Sequence, residues 1–523
     1  MKLKLDNRTK SQANRIHTLS FQNSEFSAIC NPSIVRHKGG IIGLTRGETK
    51  LRPGGGIGHG QVVADDLLFF VLNQNYQTTS WFRLSPLGYP DEIRVFDLRL
   101  FIWRDQVWCS HPLKSKSKRI DGDIHSLSSI NPDNRQISFV GTFQLSDFEF
   151  QTSEKNWGFF VSGEELFCIY SIFPKLIVLK ADPDAPTNLT VWCEWNTTDL
   201  LRFVDPRSFV SLSSPPVEYA ENRLMLTFHQ HQNYRDYRHY GLTLDARTFK
   251  PLEITPKPVF SLLGRPDPKP GITMIMNCLQ DRTGYAFSFG LADRWPCVLQ
   301  ISRDLDSSWV SLTDHQADGK RETELNWQAY YAYRNKQPVV CESICAKLEE
   351  SAASKLLAST LLGLLSMTRD DPLTASNHFS TCINLAPQNW FFRFALAQSL
   401  IDYDRISHSI KHLQTAMELD NTQADVYKLL GDAQYAMRNF KLASATYYTR
   451  FCIRPADMWN LLKAANANSQ LSLLNEAIKC IELALKTRPN STLLKEEHKQ
   501  LVLRNRRVAD ALATFNEPYA EQL

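Results

Sequence analysis

The sequence predicts two unlike domains, an N-terminal five-bladed β-propeller and a C-terminal all-α solenoid of helical hairpins. From Ser33 to Leu312 the chain is rich in Phe, Trp, Tyr, Val and Ile, in short runs punctuated by Gly, Pro, Asn and Asp. After Ala346 those runs give way to Leu- and Ala-rich helical spacing with an internal repeat. The length, 523 residues, is several times what one modest core needs.

The β half is built from hairpin signals. RHKGGIIGL, FIWRDQVWCS, VSGEELFCIYS and QDRTGYAFSFG each join two apolar or alternating stretches through a turn. No regular helical pattern separates them, which disfavours βαβ layering. So many short strands exceed a simple sandwich and suit four-stranded blades; at about 50–60 residues per blade, five fit.

In the α half, Pro387, Pro455 and Pro489 fall on one 34-residue grid whose missing member is Asn421. On the same grid lie Gly363, Ala397, Gly431 and Ala465, then Ala375, Ser409, Ala443 and Ala477. Phe379, Leu413, Tyr447 and Ile481 make a third row, and Cys382, Ala416, Arg450 and Ala484 a fourth. Small residues in the first two rows permit close helix approach, large ones in the third fill the groove, and proline stops the second helix. Arg450, in a row of small residues, predicts a locally looser helix pair. This pattern resembles the tetratricopeptide repeat over about 356–489. The boundaries read as a propeller over 1–312, a linker or bridging helix over 313–355, repeats over 356–489, and a capping helix and tail over 490–523.

Charge and composition exclude several functions. Fifty-nine basic and 55 acidic residues leave a net charge of only +4, with no basic, aromatic-interleaved stripe for nucleic acid. No apolar run approaches the roughly 18 residues of a membrane span. The opening MKLKLDNRTKSQ has no apolar core of a secretory signal, so a cytoplasmic location is expected. Eleven cysteines without a CxxC pair, the nearest being Cys341 and Cys345, read as buried thiols; neither metal nor cofactor is expected.

Several local patterns imitate sites. GGGIGHG (Gly54 to Gly60) has no helix behind it to make a dinucleotide fingerprint. Asp121 with Asp123, and Asp182 with Asp184, imitate metal-holding acidic pairs but sit in turn-like sequence. His229 and His231 share a strand face, and zinc would need a third ligand such as His239; polar inner residues of a blade are the plainer account. His378, His408 and His412 in the repeats read as surface histidines.

A sharper signal is a set of polar residues at strand beginnings. Asn31 opens the first strand and Arg46 ends the next; Asp97 and Arg99, two apart in VFDLRLF, are expected on one strand face. Lys155, Asn156 and Trp157 precede a hairpin with Tyr170 at its far end, and Arg265 and Asp293 follow later. Carboxylates, arginines, amides and an indole suit sugar binding, because hydroxyls take polar partners while a ring face stacks on tryptophan.

NPSIVRHKGGIIGLTR resembles the opening motif of the five-bladed propeller mannoside phosphorylases and their arabinan- and xylan-cleaving relatives. VFDLRLF resembles their Glu-Asp-x-Arg strand, EKNWGFF their Lys-Asn-Trp segment, YSIFP their aromatic-x-x-x-Pro strand and SFGLAD their late Gly-x-x-Asp turn. The ordered set spans about residues 31–303. The resemblance implies Asp97 as the catalytic carboxylate, with Arg99 orienting it or binding substrate. It places Asn31, Arg46, Lys155, Asn156, Tyr170 and Asp293 in the pocket. Two departures stand out: Phe96 where the family has Glu, and Lys175 where it has His. The expected function is glycosyl transfer, as a glycosyltransferase or glycoside phosphorylase, on an oligosaccharide, sugar phosphate or nucleotide sugar. The repeats are expected to take a protein partner or a second copy. The alternative is a non-catalytic glycan-binding scaffold, with Asp97 a structural turn anchor.

Overall fold

A computed structural model describes residues 15–22, 26, 28–48, 65–90, 93–115, 124–146, 156–232, 235–261, 273–281, 284–291, 295–302, 309–312, 320–348, 351–455 and 457–520. The chain divides into two compact units, the first running to Tyr331 and the helical second beginning at Ala332.

The first unit holds five sheets, each one blade, antiparallel apart from two short edge strands that pair parallel. Blade 1 is Ala28–His37, Gly40–Glu48, Asp65–Leu72 and Thr78–Arg83 in sequence order. Blade 2 begins at Arg99–Trp103 and continues through Gln106–Ser115, Ile124–Asn131 and Gln136–Thr142. Blade 3 is Gly158–Ser162, Glu165–Ser171, Lys175–Ala181 and Asn188–Asn196; blade 4 begins Phe209–Ala220, Arg223–Gln232, Arg235–Asp245. Blade 5 takes Thr273–Asp281, Gly284–Leu291 and Trp295–Ser302, and the early strand Arg15–Thr18 closes it as its outermost member. Each innermost strand packs on the next, and Thr273–Asp281 returns to Ala28–His37, so the ring is closed.

Closure explains why the strands read as apolar runs rather than alternating ones. A blade is covered on both faces by its neighbours, so successive side chains such as Leu176, Ile177, Val178 and Leu179 are all buried. The core therefore sits between blades. One cluster joins Phe101 and Leu127 of blade 2 to Phe159 and Ile177 of blade 3, and another joins Met225 of blade 4 to Phe287 and Leu299 of blade 5.

The second unit realises the 34-residue grid as helix pairs: Ala352–Thr368 with Pro372–Leu385, Trp390–Asp402 with Ile406–Leu419, Ala424–Ala436 with Phe440–Ile453, and Trp459–Gln470 with Leu474–Thr487. Thr492–Ala520 follows. The small and large rows do what their sizes require: a methyl at Gly363 would meet the Phe379 ring at 2.9 Å, and one at Gly431 the Tyr447 ring at 2.6 Å. Arg450 corrects the expectation of a looser pair. It is 7% exposed, its Nε donates to the Ala424 carbonyl at 3.0 Å, and its Nη1 donates to Asp457 at 2.8 Å and to Asn460. The long side chain ties consecutive helices where a small one would only let them touch. No helix among the described residues is long and apolar enough to cross a membrane.

Candidate functional site at the start of the inner strands

Three of the expected site residues share an unusual backbone. Asn31, Asp97 and Asn156 have φ of 49°, 48° and 75°, in the left-handed region that Asn and Asp enter more readily than other side chains. Each stands two residues before a point where an inner strand takes up regular pairing: Asn31 before Ser33, Asp97 before Arg99, Asn156 before Gly158. Asp97 therefore does not share a strand face with Arg99, as alternation predicted. The strand begins only at Arg99, and the left-handed turn re-aims the carboxylate.

The turns bring the first two side chains together. Asn31 Nδ2 donates to Asp97 Oδ1 at 2.9 Å, across blades 1 and 2. Asn31 is 7% exposed, whereas Asp97 is only partly buried and reaches solvent. Asn31 is held from behind by Gly290 of blade 5, where an added Cβ would lie 2.0 Å from Asn31 Oδ1 and 2.9 Å from its backbone nitrogen.

Beneath this pair runs a buried polar layer touching all five blades. Arg99, 4% exposed, donates through Nη1 to the carbonyls of Ser213 (blade 4) and Met276 (blade 5, 2.9 Å), and through Nη2 to Asn156 Oδ1 (blade 3, 3.3 Å). Asn277 Nδ2 donates to the Leu100 carbonyl at 3.0 Å, and Ser33 Oγ accepts from the Leu100 N–H at 2.9 Å. Burial pulls the Arg99 guanidinium down to about 10, with the Asp97 charge opposing that loss, so it stays cationic at neutral pH. With Nη1 committed to two backbone carbonyls and Nη2 to the Asn156 side chain, Arg99 is a strut and a fixed positive charge beside Asp97.

The histidines of blade 4 join the same layer. Ser213 Oγ lies 2.9 Å from His229 Nδ1 and 2.8 Å from His239 Nδ1. One hydroxyl proton serves only one ring, so the other ring donates its own Nδ1–H. Burial holds His229 well below the ordinary histidine range, hence neutral. Among the described residues no group of three or more His, Cys, Asp or Glu is arranged to hold a metal ion. Asp182 accepts the N–H groups of Asp184 and Ala185 at 2.8 and 3.2 Å, as a turn does.

The remaining candidates divide. Arg46 pairs with Cys30 next to Asn31 and is half-buried. Trp157 and Tyr170 are 2% and 5% exposed in the core between blades 2 and 3. The indole face of Trp157 is stacked on His125, with centroids 4.4 Å apart and planes 3° apart. Lys175 is likewise 5% exposed, and its Nζ donates to Glu194 at 2.9 Å and Glu324 at 3.3 Å. Lys155, Arg265 and Asp293 lie outside the described residues, as do Gly54 to Gly60, Asp121 and Asp123. Sequence reading missed Ser213 and Asn277. Both sit at register breaks in inner strands; a lone Asn in the apolar run TMIMNCL was the available signal for Asn277, whereas Ser213, in SLSSPP, has no such mark.

No family model matches the chain, and no curated protein matches it in sequence. Among solved structures, it is similar to a glycosyl hydrolase from Bacteroides ovatus (13% identity, 55% of this chain and 87% of that one, TM-score 0.40). It is also similar to a β-1,2-mannobiose phosphorylase from Listeria innocua (11%, 56% and 92%, TM-score 0.38). A third similar structure is YrrB, a TPR protein with an unusual peptide-binding site (15%, 35% and 96%, TM-score 0.31). At these identities and scores they assign nothing to the site, whose reading rests on its own residues.

Proposed function

We propose that the propeller unit is a carbohydrate-active enzyme that transfers a glycosyl unit to phosphate or to another sugar, and that the repeat unit binds a protein partner or a second copy. The observation that carries the reading is Asp97: a solvent-reaching carboxylate gripped by Asn31 at 2.9 Å, with a buried guanidinium alongside, where the inner strands converge. In such a reaction the carboxyl protonates the departing glycosidic oxygen, and an external nucleophile attacks the oxocarbenium-like centre from the opposite face. Asn31 fixes the carboxylate rotamer, Arg99 acts as a positioning residue, and Asn156 completes the polar rim. Arg46, with Lys155 and Arg265, is proposed to meet an anionic acceptor or donor, since guanidinium and ammonium groups hold phosphate by charge-assisted bonds. Asp293 is proposed for a substrate hydroxyl; Trp157 and Tyr170 support the pocket from below.

Purified protein is incubated with manno-oligosaccharides plus phosphate, and separately with nucleotide sugars. The expected product is a sugar phosphate or a nucleoside diphosphate, and Asp97→Asn removes it by a factor of about 100 or more with the fold intact. Full activity in Asp97→Asn refutes the assignment. A second reading, a glycan-binding propeller without chemistry, is favoured by Phe96 in place of a carboxylate and by Lys175 being tied to Glu194 and Glu324. Oligosaccharide binding with no product under either condition selects it.

A further inference from the structure

We infer that Phe209 of blade 4 and Trp295 of blade 5 form a ring-stacking subsite for an outer sugar unit of an oligosaccharide whose inner end lies at Asp97. The inference rests on the glycan reading above. Both side chains are large aromatics left 51% exposed. A lone exposed aromatic is unremarkable on any surface. These two share a rim and a cleft.

The rim follows from strand direction. Asn31, Asp97 and Asn156 mark the beginnings of inner strands, and Phe209 is the first residue of the inner strand of blade 4. Trp295 is the first residue of the third strand of blade 5, which runs in the same direction as that blade's inner strand after two antiparallel reversals. Both therefore sit at the Asp97 end of the propeller. The cleft follows from alternation. Phe209 is paired with His231, which shares a strand face with Met225. Trp295 shares a face with Cys297, Leu299 and Ile301. Met225, Cys297, Leu299 and Ile301 all belong to one cluster between blades 4 and 5. The two aromatics thus continue, at the rim, the two sheet faces that enclose that core.

Register ties this cleft to the reactive carboxylate. Trp295 pairs with Leu291 and Pro296 with Gly290, and Gly290 backs Asn31, which holds Asp97. The platform is also stiff. Phe209 stacks on His231 (5.6 Å, 23°), and His231 stacks on Tyr237 (4.8 Å, 26°). A ring held in advance loses little freedom on binding. A sugar ring offers a C–H face to an aromatic face and hydroxyls to polar neighbours. Trp157 cannot supply that face, being covered by His125, so the exposed rim aromatics take the role.

The test uses the full chain in an Asp97→Asn background, to prevent turnover, with manno-, xylo- and arabino-oligosaccharides of increasing length, read by calorimetry. Affinity is expected to rise with chain length. Phe209→Ala and Trp295→Ala are each expected to remove about tenfold for the longer chains, and Trp295→Phe to retain most of the gain. If both alanine variants keep the parent's length dependence, the subsite is overturned while the glycan reading stands. If the parent binds no oligosaccharide of any length, the glycan reading fails and this inference with it.

Discussion

Adding one methyl group at Gly290 tests the geometry of the site by pushing on Asn31 from behind, leaving every proposed site residue chemically unchanged. The new Cβ would lie 2.0 Å from Asn31 Oδ1, 2.9 Å from Asn31 N and 3.1 Å from Asn31 Cα. The side-chain clash alone could be relieved by rotation, at the expense of the 2.9 Å bond to Asp97. Contacts to the backbone cannot be relieved that way, so residue 31 itself must shift. Overpacking of this kind costs about 1–3 kcal/mol. A displacement of about 1 Å in a catalytic group is worth about a hundredfold in turnover. Gly290→Ala should therefore lower the urea midpoint of the propeller transition and depress the proposed glycosyl transfer together. Gly40→Ala is the control: its new Cβ would meet only the His37 carbonyl, at an ordinary 3.7 Å. If the two variants unfold and turn over alike, Asn31 is not held by Gly290 and the positioning argument falls.

Other expectations follow from buried groups. Burial lowers His111 to about 4 and holds His229 well below its usual range, so the unfolded chain takes up protons first as pH falls. The stability these rings contribute is complete above the unfolded value of about 6.5 and drains as pH drops toward the folded one; between pH 6.5 and 5, His111 alone accounts for about 2 kcal/mol. Urea midpoints measured across that window should fall, and a flat profile contradicts the burial. Arg450→Ala strips partners from Asp457, Asn460 and the Ala424 carbonyl, and should cost the helical unit about 2 kcal/mol. Helical circular dichroism on heating reads that loss; an unchanged melt means the buried guanidinium holds nothing.

The architecture was legible because its causes are periodic. Strand runs punctuated by turns, and small and large rows recurring every 34 residues, are written into local sequence, and blade closure then follows from burying both faces of each sheet. Asn31 and Asp97 were legible as candidates, but their meeting was not. That contact depends on two left-handed turns and on a glycine about 260 residues away, and none of these leaves a periodic mark. Trp157 shows the opposite failure. An indole beside Asn156 reads as a sugar platform, yet what settles its role is the His125 ring covering it from another blade. Nothing local in the sequence marks Phe209 or Trp295, since exposure at a rim depends on where a strand starts relative to its neighbours.

The buried charge beside Asp97 determines how cleanly the carboxylate can be interrogated. Asp97 supports the Arg99 cation, so removing the anion withdraws part of what offsets its burial. Two features limit that damage. Asparagine enters the left-handed region as readily as aspartate, so Asp97→Asn keeps the turn, and its amide oxygen can still accept from Asn31 Nδ2. Arg99 also keeps the carbonyls of Ser213 and Met276, which belong to other blades. The strut thus survives the loss of the charge, and a collapse of activity in Asp97→Asn with an unchanged unfolding transition reports the proposed role of the carboxyl, not the integrity of the ring around it.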